Sequence, residues 1–185
     1  MYLKILIAFI IFINFFLNVQ ASEKKLIIDR LLEIKNFSFD FEQTTKEKTE
    51  TGYCLLEFDK KLKCNYNDKL QKEVIINNKT LVILQKKYNK IYYYPVSKSS
   101  FLNILSKNKL INLIKKSDLK LSKNIELVYL DENQKIITVF FEKKSYELIG
   151  WVVEDEFQNK IDFSLKIKNI NSVLDKNYFK IPTNN

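Results

Sequence analysis

The 185-residue chain has no histidine, two glycines (Gly52 and Gly150), two prolines, two cysteines and one tryptophan. Each shortage closes off some chemistry. Without histidine there is no His-based catalytic triad and no His-ligated zinc. Two isolated glycines cannot form a phosphate-cradling loop or a dinucleotide fingerprint, which need glycines clustered in one turn. Cys54 and Cys64 are too widely spaced for a C-x-x-C redox pair. The chain also lacks internal repeats, linkers and low-complexity tracts. These absences argue against the common enzyme classes, and no metal or cofactor is implied.

Apolar and basic residues are plentiful. Hydrophobic residues make up 46% of the chain and aromatics 14%, enough for a real core in one domain. The formal charge is +9, and of the 31 basic residues all but Arg30 are lysine. A basic surface suits an anionic partner. A nucleic-acid footprint, however, clusters on one face or helix, whereas these lysines are scattered. With abundant Asn, Ile, Phe and Tyr, the profile is that of an AT-rich coding bias, and no nucleic-acid partner is expected.

Residues 1–21 read as a secretory signal peptide. Lys4 supplies the positive start, Ile5–Leu17 is almost wholly apolar, and Val19-Gln20-Ala21 has small residues where a leader peptidase needs them. The apolar run is short for a membrane span. Residues 22–185 are then expected to form a single soluble, exported domain.

The chain is organised around Phe37–Tyr66. Phe37, Phe39 and Phe41 alternate with Ser38, Asp40 and Glu42, the period of a strand with one greasy face. A second strand, Tyr53–Phe58, turns at Asp59-Lys60 and returns as Lys61–Tyr66. One face of this hairpin carries Cys54, Leu56, Phe58, Leu62, Cys64 and Tyr66. Before these strands, Ser22 is placed to cap a helix running through Lys35, with Ile27, Ile28, Leu31, Leu32 and Ile34 at helical spacing. After them come a hairpin, Glu73–Asn77 and Thr80–Lys86, turning at Asn77-Asn78, and a strand Lys90–Tyr94 stopped by Pro95. A helix opened by Ser99 or Ser100 carries Phe101, Leu102, Ile104 and Leu105, and a second helix spans Leu110–Lys116. From Ile125 onwards the pattern is a meander: Ile125–Leu130, Lys135–Glu142, Tyr146–Glu154 and Lys160–Asn169, with a last short strand at Tyr178–Ile181. The expected fold is mainly β (α+β): about ten strands in an open antiparallel half-barrel, covered by short helices.

In this order and spacing the motifs resemble the LolA family, the periplasmic carriers of outer-membrane lipoproteins. Phe37…Phe41-Glu42-Gln43 is similar to the family's F-x-x-x-F-x-Q. Gly52 opens a hairpin, and Val74–Leu81 is similar to its V-x-D-G-K-x-L turn. The stretch from Ser100 to Leu105 resembles its mid-chain helix start. Leu148…Asp155…Phe157-Gln158-Asn159 and Phe179-Lys180-Ile181-Pro182 resemble its closing strands. The resemblance implies a monomeric periplasmic carrier, not an enzyme. Its apolar cavity would take a lipoprotein's acyl chains from an inner-membrane releasing transporter and pass them to an outer-membrane acceptor. The cavity candidates are Phe37, Phe39, Phe41, Leu56, Phe58, Leu62, Tyr66, Phe101, Leu105 and Trp151. There are departures from the family. Its Arg-Pro before the hairpin turn, whose Arg fastens the lid, is replaced by Phe58-Asp59. Leu62 stands for a cavity Phe, Lys63 for an Arg, and Gln158 for a turn Gly.

Other features admit plainer readings. Cys54 and Cys64 face each other across one hairpin; an oxidising compartment favours a disulfide, and the alternative is two buried thiols packed as small hydrophobes. Glu154-Asp155-Glu156 reads as a solvated turn rather than a cation site. Tyr92-Tyr93-Tyr94 reads as a half-buried strand rather than a base-stacking platform. A half-barrel that senses lipids or envelope stress is the alternative function. An exported hydrolase is disfavoured by the missing histidine.

The leader reading predicts that the mature protein begins at Ser22 and fractionates with soluble periplasm. N-terminal sequencing that finds residues 1–21 retained in membranes would refute it.

Overall fold

The computed structural model describes residues 22–46, 48–96, 106–130, 134–154 and 158–182. In chain order the strands are β1 Asn36–Thr45, β2 Lys48–Glu57, β3 Lys61–Tyr66, β4 Lys72–Asn77, β5 Thr80–Gln85, β6 Lys90–Pro95, β7 Asp118–Leu121, β8 Ile125–Leu130, β9 Ile136–Phe141, β10 Leu148–Glu154 and β11 Lys160–Ile170. Helix α1 covers residues 22–33, and α2 spans Lys107–Lys116. The strands form one 11-stranded antiparallel sheet in the order β6-β5-β4-β3-β2-β1-β11-β10-β9-β8-β7, with β6 and β7 as its two open edges. The fold is thus the expected open half-barrel, assembled from two meanders. The first runs outward from β1 and the second runs inward to β11; the β1–β11 pairing joins them.

One face of the sheet, the inner one, carries the core. Phe37, Phe39 and Phe41 of β1 point into it, as do Cys54 and Leu56, Leu62 and Cys64, Val139 and Phe141, and Phe163 and Leu165. Helix α1 lays Ile27 and Leu31 against this core, with Ile34 just beyond its end, and α2 adds Leu110, Leu113 and Ile114. Both sets follow helical spacing. A smaller apolar cluster lies on the outer face, where Leu55, Ile75 and Val82 are buried along with Phe179 of the C-terminal segment. Asn77 donates its side-chain amide to the Phe179 carbonyl at 3.1 Å, and the Tyr93 hydroxyl donates to the Pro182 carbonyl at 2.8 Å.

Several boundaries differ from the sequence reading. Ser22 is already helical, so it does not cap α1. The helix ends two residues before Lys35 because Asn171 takes its last polar groups. The Asn171 side chain accepts from the Lys35 N–H at 2.6 Å and donates to the Glu33 carbonyl at 2.9 Å. Pro95 does not stop β6 but ends it, paired with Thr80; on an edge strand its missing N–H costs no ladder bond. The turn between β4 and β5 is Asn78-Lys79, with Asn77 still in the strand. Strand β7 escaped the pattern because Leu119 is its only buried residue; its pairing with β8 defines it. Tyr178–Ile181 is not a strand. Asp175 accepts from the N–H of Asn177 at 2.6 Å and turns the chain, and Lys180 N–H then closes on the Asn177 carbonyl. The helix expected to carry Phe101 and Leu105 lies outside the described residues.

Glycine scarcity shows in the turns. Lys46, Lys60, Gln71, Asn78, Asn89, Gln134, Tyr146, Gln158 and Asn171 all take positive φ, where glycine is the usual occupant and other residues are strained. Glycine sits instead where space is lacking. A Cβ on Gly52 would lie 2.2 Å from the Asn65 carbonyl oxygen and 2.6 Å from the Phe41 ring. Gly52→Ala should therefore destabilise the fold by about 2 kcal/mol, in the range of overpacked sites. Urea denaturation measures this, and an unchanged midpoint would show that the Asn65 backbone and the Phe41 ring both give way at no cost.

Candidate functional site

The inner face presents a row of rings. Phe163 stacks on Trp151 at 4.2 Å between centroids and on Phe41 at 5.2 Å, and Phe41 meets Tyr66 edge-on at 4.9 Å. The row crosses from β10 through β11 and β1 to β3. It passes over β2 because Gly52, paired with both Phe41 and Tyr66, has no side chain to interrupt it. Phe39 approaches Phe163 edge-on at 6.4 Å, and Phe37 lies 5.3 Å from Phe39. Tyr66 closes the row. The Lys72 ammonium sits 3.7 Å over its ring and pairs with Glu50 at 2.7 Å. Burial pushes the Tyr66 phenol up. Burial would also raise the Glu50 carboxyl, but hydrogen bonds from Lys48 and Lys72 hold it below the usual range.

The sequence-derived candidates divide as follows. Phe37, Phe39, Phe41, Leu56, Leu62 and Trp151 are all buried on this face, and Phe58 and Tyr66 are half-buried against it. Phe101 and Leu105 are outside the described residues, as are Asp155 and Glu156 of the acidic turn. Phe163, the ring that links Trp151 to Phe41, was missed. Its signal was the alternation Phe163, Leu165, Ile167 within β11. Cys54 and Cys64 are direct cross-strand partners, Cα–Cα 4.1 Å apart, and form a disulfide set into the same face.

Among the described residues, what covers the face is the antiparallel pair α1 and α2, fastened by their own lysines. Lys24, in the first part of α1, donates to the Ser117 carbonyl at 2.6 Å and the Lys115 carbonyl at 3.2 Å, at the end of α2. Lys107, the first residue of α2, donates back to the Ile34 carbonyl and, at 3.5 Å, to that of Leu32, at the end of α1. Each helix thus satisfies the other's terminal carbonyls with a cation, which the helix dipole favours. Lys107 also joins the cover to the sheet rim. Its backbone N–H donates to the Asp59 carboxylate at 2.6 Å, and its ammonium lies 5.2 Å from the Phe58 ring. Burial holds that ammonium below the ordinary lysine range, with the Asp59 carboxylate opposing. The turn at Phe58-Asp59 is thus tied to the helices through Lys107. Arg30 adds a third tie, from α1 to Glu147 at 2.6 Å.

Among the described residues no cluster of His, Cys, Asp or Glu could hold a metal ion, and no helix is long and apolar enough to cross a membrane. Among the described residues the inner face is lined by aromatic and aliphatic side chains and by the Cys54–Cys64 disulfide.

Residues 33–182 match the family model described as "Outer membrane lipoprotein carrier protein LolA". No curated protein matches the chain. Among solved structures, an uncharacterized conserved protein from Thermus thermophilus is similar with a TM-score of 0.51 and 12% identity, over 85% of this chain and 92% of that one. A chain of the Pseudomonas aeruginosa MucA/MucB complex is similar with a TM-score of 0.50 and 11% identity, over 88% of this chain and 61% of that one. A LolA superfamily protein from Nitrosomonas europaea has a TM-score of 0.42 and 9% identity, over 83% and 96%. For the first two, at these identities, the likeness is one of fold.

The Cys54–Cys64 bridge predicts no free thiol in unfolded protein prepared without reductant. Reduction should lower stability by about 2–3 kcal/mol, as for a short closed loop. Two thiols titrating in the unreduced protein would remove the bridge from the wall.

Proposed function

The chain belongs to the LolA family of outer membrane lipoprotein carrier proteins, and on that premise we propose that its inner face is a cavity for lipoprotein acyl chains. The protein would work as a soluble periplasmic carrier. It would receive acylated lipoproteins from an inner-membrane transporter and deliver them to an outer-membrane acceptor, without catalysis and as a monomer. Residues 1–21 would be its leader and residues 22–185 its single domain. Phe37, Phe39, Phe41, Leu56, Phe58, Leu62, Tyr66 and Trp151 would line the cavity.

One observation carries this reading: among the described residues, the sheet's apolar face is covered by two helices whose hydrogen bonds run to each other and to the rim, with no backbone ladder to the sheet. Magnitudes support it. The six aliphatic side chains that α1, Ile34 and α2 bury are each worth about 1.5–3 kcal/mol, so lifting the cover exposes roughly 9–18 kcal/mol of apolar contact. The empty protein therefore stays shut. At about 0.8 kcal/mol per methylene, roughly one to two dozen buried methylenes offset that loss, which one or two acyl chains provide. The cover would then open in exchange for cargo. The Cys54–Cys64 bridge and the ring row would hold the floor rigid while the helices move.

The MucA/MucB complex names a similar fold bound to a protein partner. A half-barrel that senses lipids or envelope stress is the second reading, and cargo transfer separates it from the first.

The test uses release of lipoproteins from inner-membrane vesicles together with binding of a fatty-acyl probe. Lys107→Met removes the ammonium from the carbonyls of α1. It should lower folding stability by about 1 kcal/mol and, by freeing the cover, tighten acyl binding about fivefold. Leu62→Glu puts a carboxylate on the floor and should abolish binding. Failure of the parent protein to bind acyl chains would end the cavity reading. Acyl binding without transfer between membranes would favour the sensor.

A further inference from the structure

The lysines are scattered along the chain, but the charge is not. Between Glu73 and Asp118 there is no acidic residue, and residues 74–117 contain nine lysines. That equals the whole formal charge of +9, so the rest of the chain, with its 22 acidic residues, is neutral. The acid-free block holds the end of β4, all of β5 and β6, and α2.

Strand β6 is an open edge of the sheet. Along it and the turn before it, Tyr88, Tyr92, Tyr93 and Tyr94 are 54%, 38%, 44% and 48% exposed. Lys79, Lys87 and Lys90 stand exposed beside them. The inner face reaches this edge through two straight cross-strand rows. One runs Leu56, Leu62, Ile76, Leu81, Tyr94; the other runs Cys54, Cys64, Val74, Ile83, Tyr92. Burial falls along each row: the β2 and β3 members are buried, Leu81, Val74 and Ile83 are half-buried, and each row ends on an exposed tyrosine.

We infer that the β6 edge docks on an anionic phospholipid bilayer, with the open ends of both rows set against the membrane. Tyrosine has an apolar ring and a polar tip, and it settles at the headgroup level of a bilayer. Lysine is a mobile point charge that suits fluid phosphate headgroups, whereas fixed carboxylates on a protein partner are better met by arginine's rigid fork. The role of the two rows, a greasy path between bilayer and cavity, rests on the acyl-chain reading; the docking does not.

The experiment is cosedimentation of the full protein, purified from cells, with phosphatidylcholine vesicles made with and without phosphatidylglycerol. Binding should require phosphatidylglycerol and fall as salt rises. Each lysine near an anionic surface is worth about fivefold, so Lys87→Gln with Lys90→Gln should weaken partitioning about thirtyfold at low salt. Tyr92→Ser with Tyr94→Ser should weaken it as well, and Tyr→Phe at both positions should retain most of it. All four side chains are exposed, and circular dichroism verifies that the variants fold. Equal binding to both kinds of vesicle, or variants that bind like the parent, would overturn the inference. Capture of an acidic protein partner without vesicle binding would overturn it in favour of a protein-docking edge. Vesicle binding without acyl uptake would leave the docking standing and remove the carrier reading. Acyl uptake without vesicle binding would do the reverse.

Discussion

The pairing of β1 with β11 is the constraint on which the rest of the structure depends. It sets Phe37 opposite Ile170 and Phe41 opposite Leu165, joining two meanders that would otherwise be separate small sheets. A slip of one residue would turn every side chain of one strand to the other face. The row from Trp151 through Phe163 to Phe41 and Tyr66 would then break at its middle. The register is shifted once, between Ser38 and Phe39. The same pairing seats the helices. α1 leads into β1 and Asn171 follows β11, so the side chain that ends the helix is delivered by the strand pair beneath it.

The helices close the sheet without becoming part of it. Their apolar residues bind the inner face, but their polar ties run from helix to helix and from helix to rim. Lys24 and Lys107 are short-range cations spent on carbonyls that a longer helix would have satisfied internally. A cover built in this way is stable and separable, because no backbone ladder has to break when it lifts. The floor is built the opposite way: ladders, a disulfide and stacked rings all lie within the sheet.

The outer face shows a different solution to the same problem. Leu55, Ile75 and Val82 would be exposed on a one-sided sheet, and the C-terminal segment covers them with Phe179. Lys61 and Lys63 lie over the rings of Phe179 and Tyr178, at 5.9 and 5.3 Å. The lysine stems complete a surface that the aromatics begin. The C-terminal segment reaches the edge at β6 only through the Pro182 carbonyl that accepts from Tyr93, and among the described residues the tyrosines of that edge stay exposed.

The sequence by itself determined most of the strands and their faces, although β2 starts at Lys48, five residues before the expected Tyr53. Alternation in Phe37–Glu42, the hairpin from Tyr53 to Tyr66 and the meander from Ile125 all report a local period of two, which survives whatever the strand's neighbours are. It also determined what the protein lacks, and so the character of its inner face. Tertiary structure alone decided the short strand β7, the end of α1 at Asn171 and the ring of Phe163 between Trp151 and Phe41. It alone decided the turn at Tyr178 and the lysine ties as well. These depend on residues far apart in sequence: Lys24 reaches Ser117 across 93 positions, and Lys107 reaches Ile34 across 73. No local pattern marks such pairs. A lysine's reach to a particular carbonyl is fixed only when β1 and β11 meet and bring the two helices side by side.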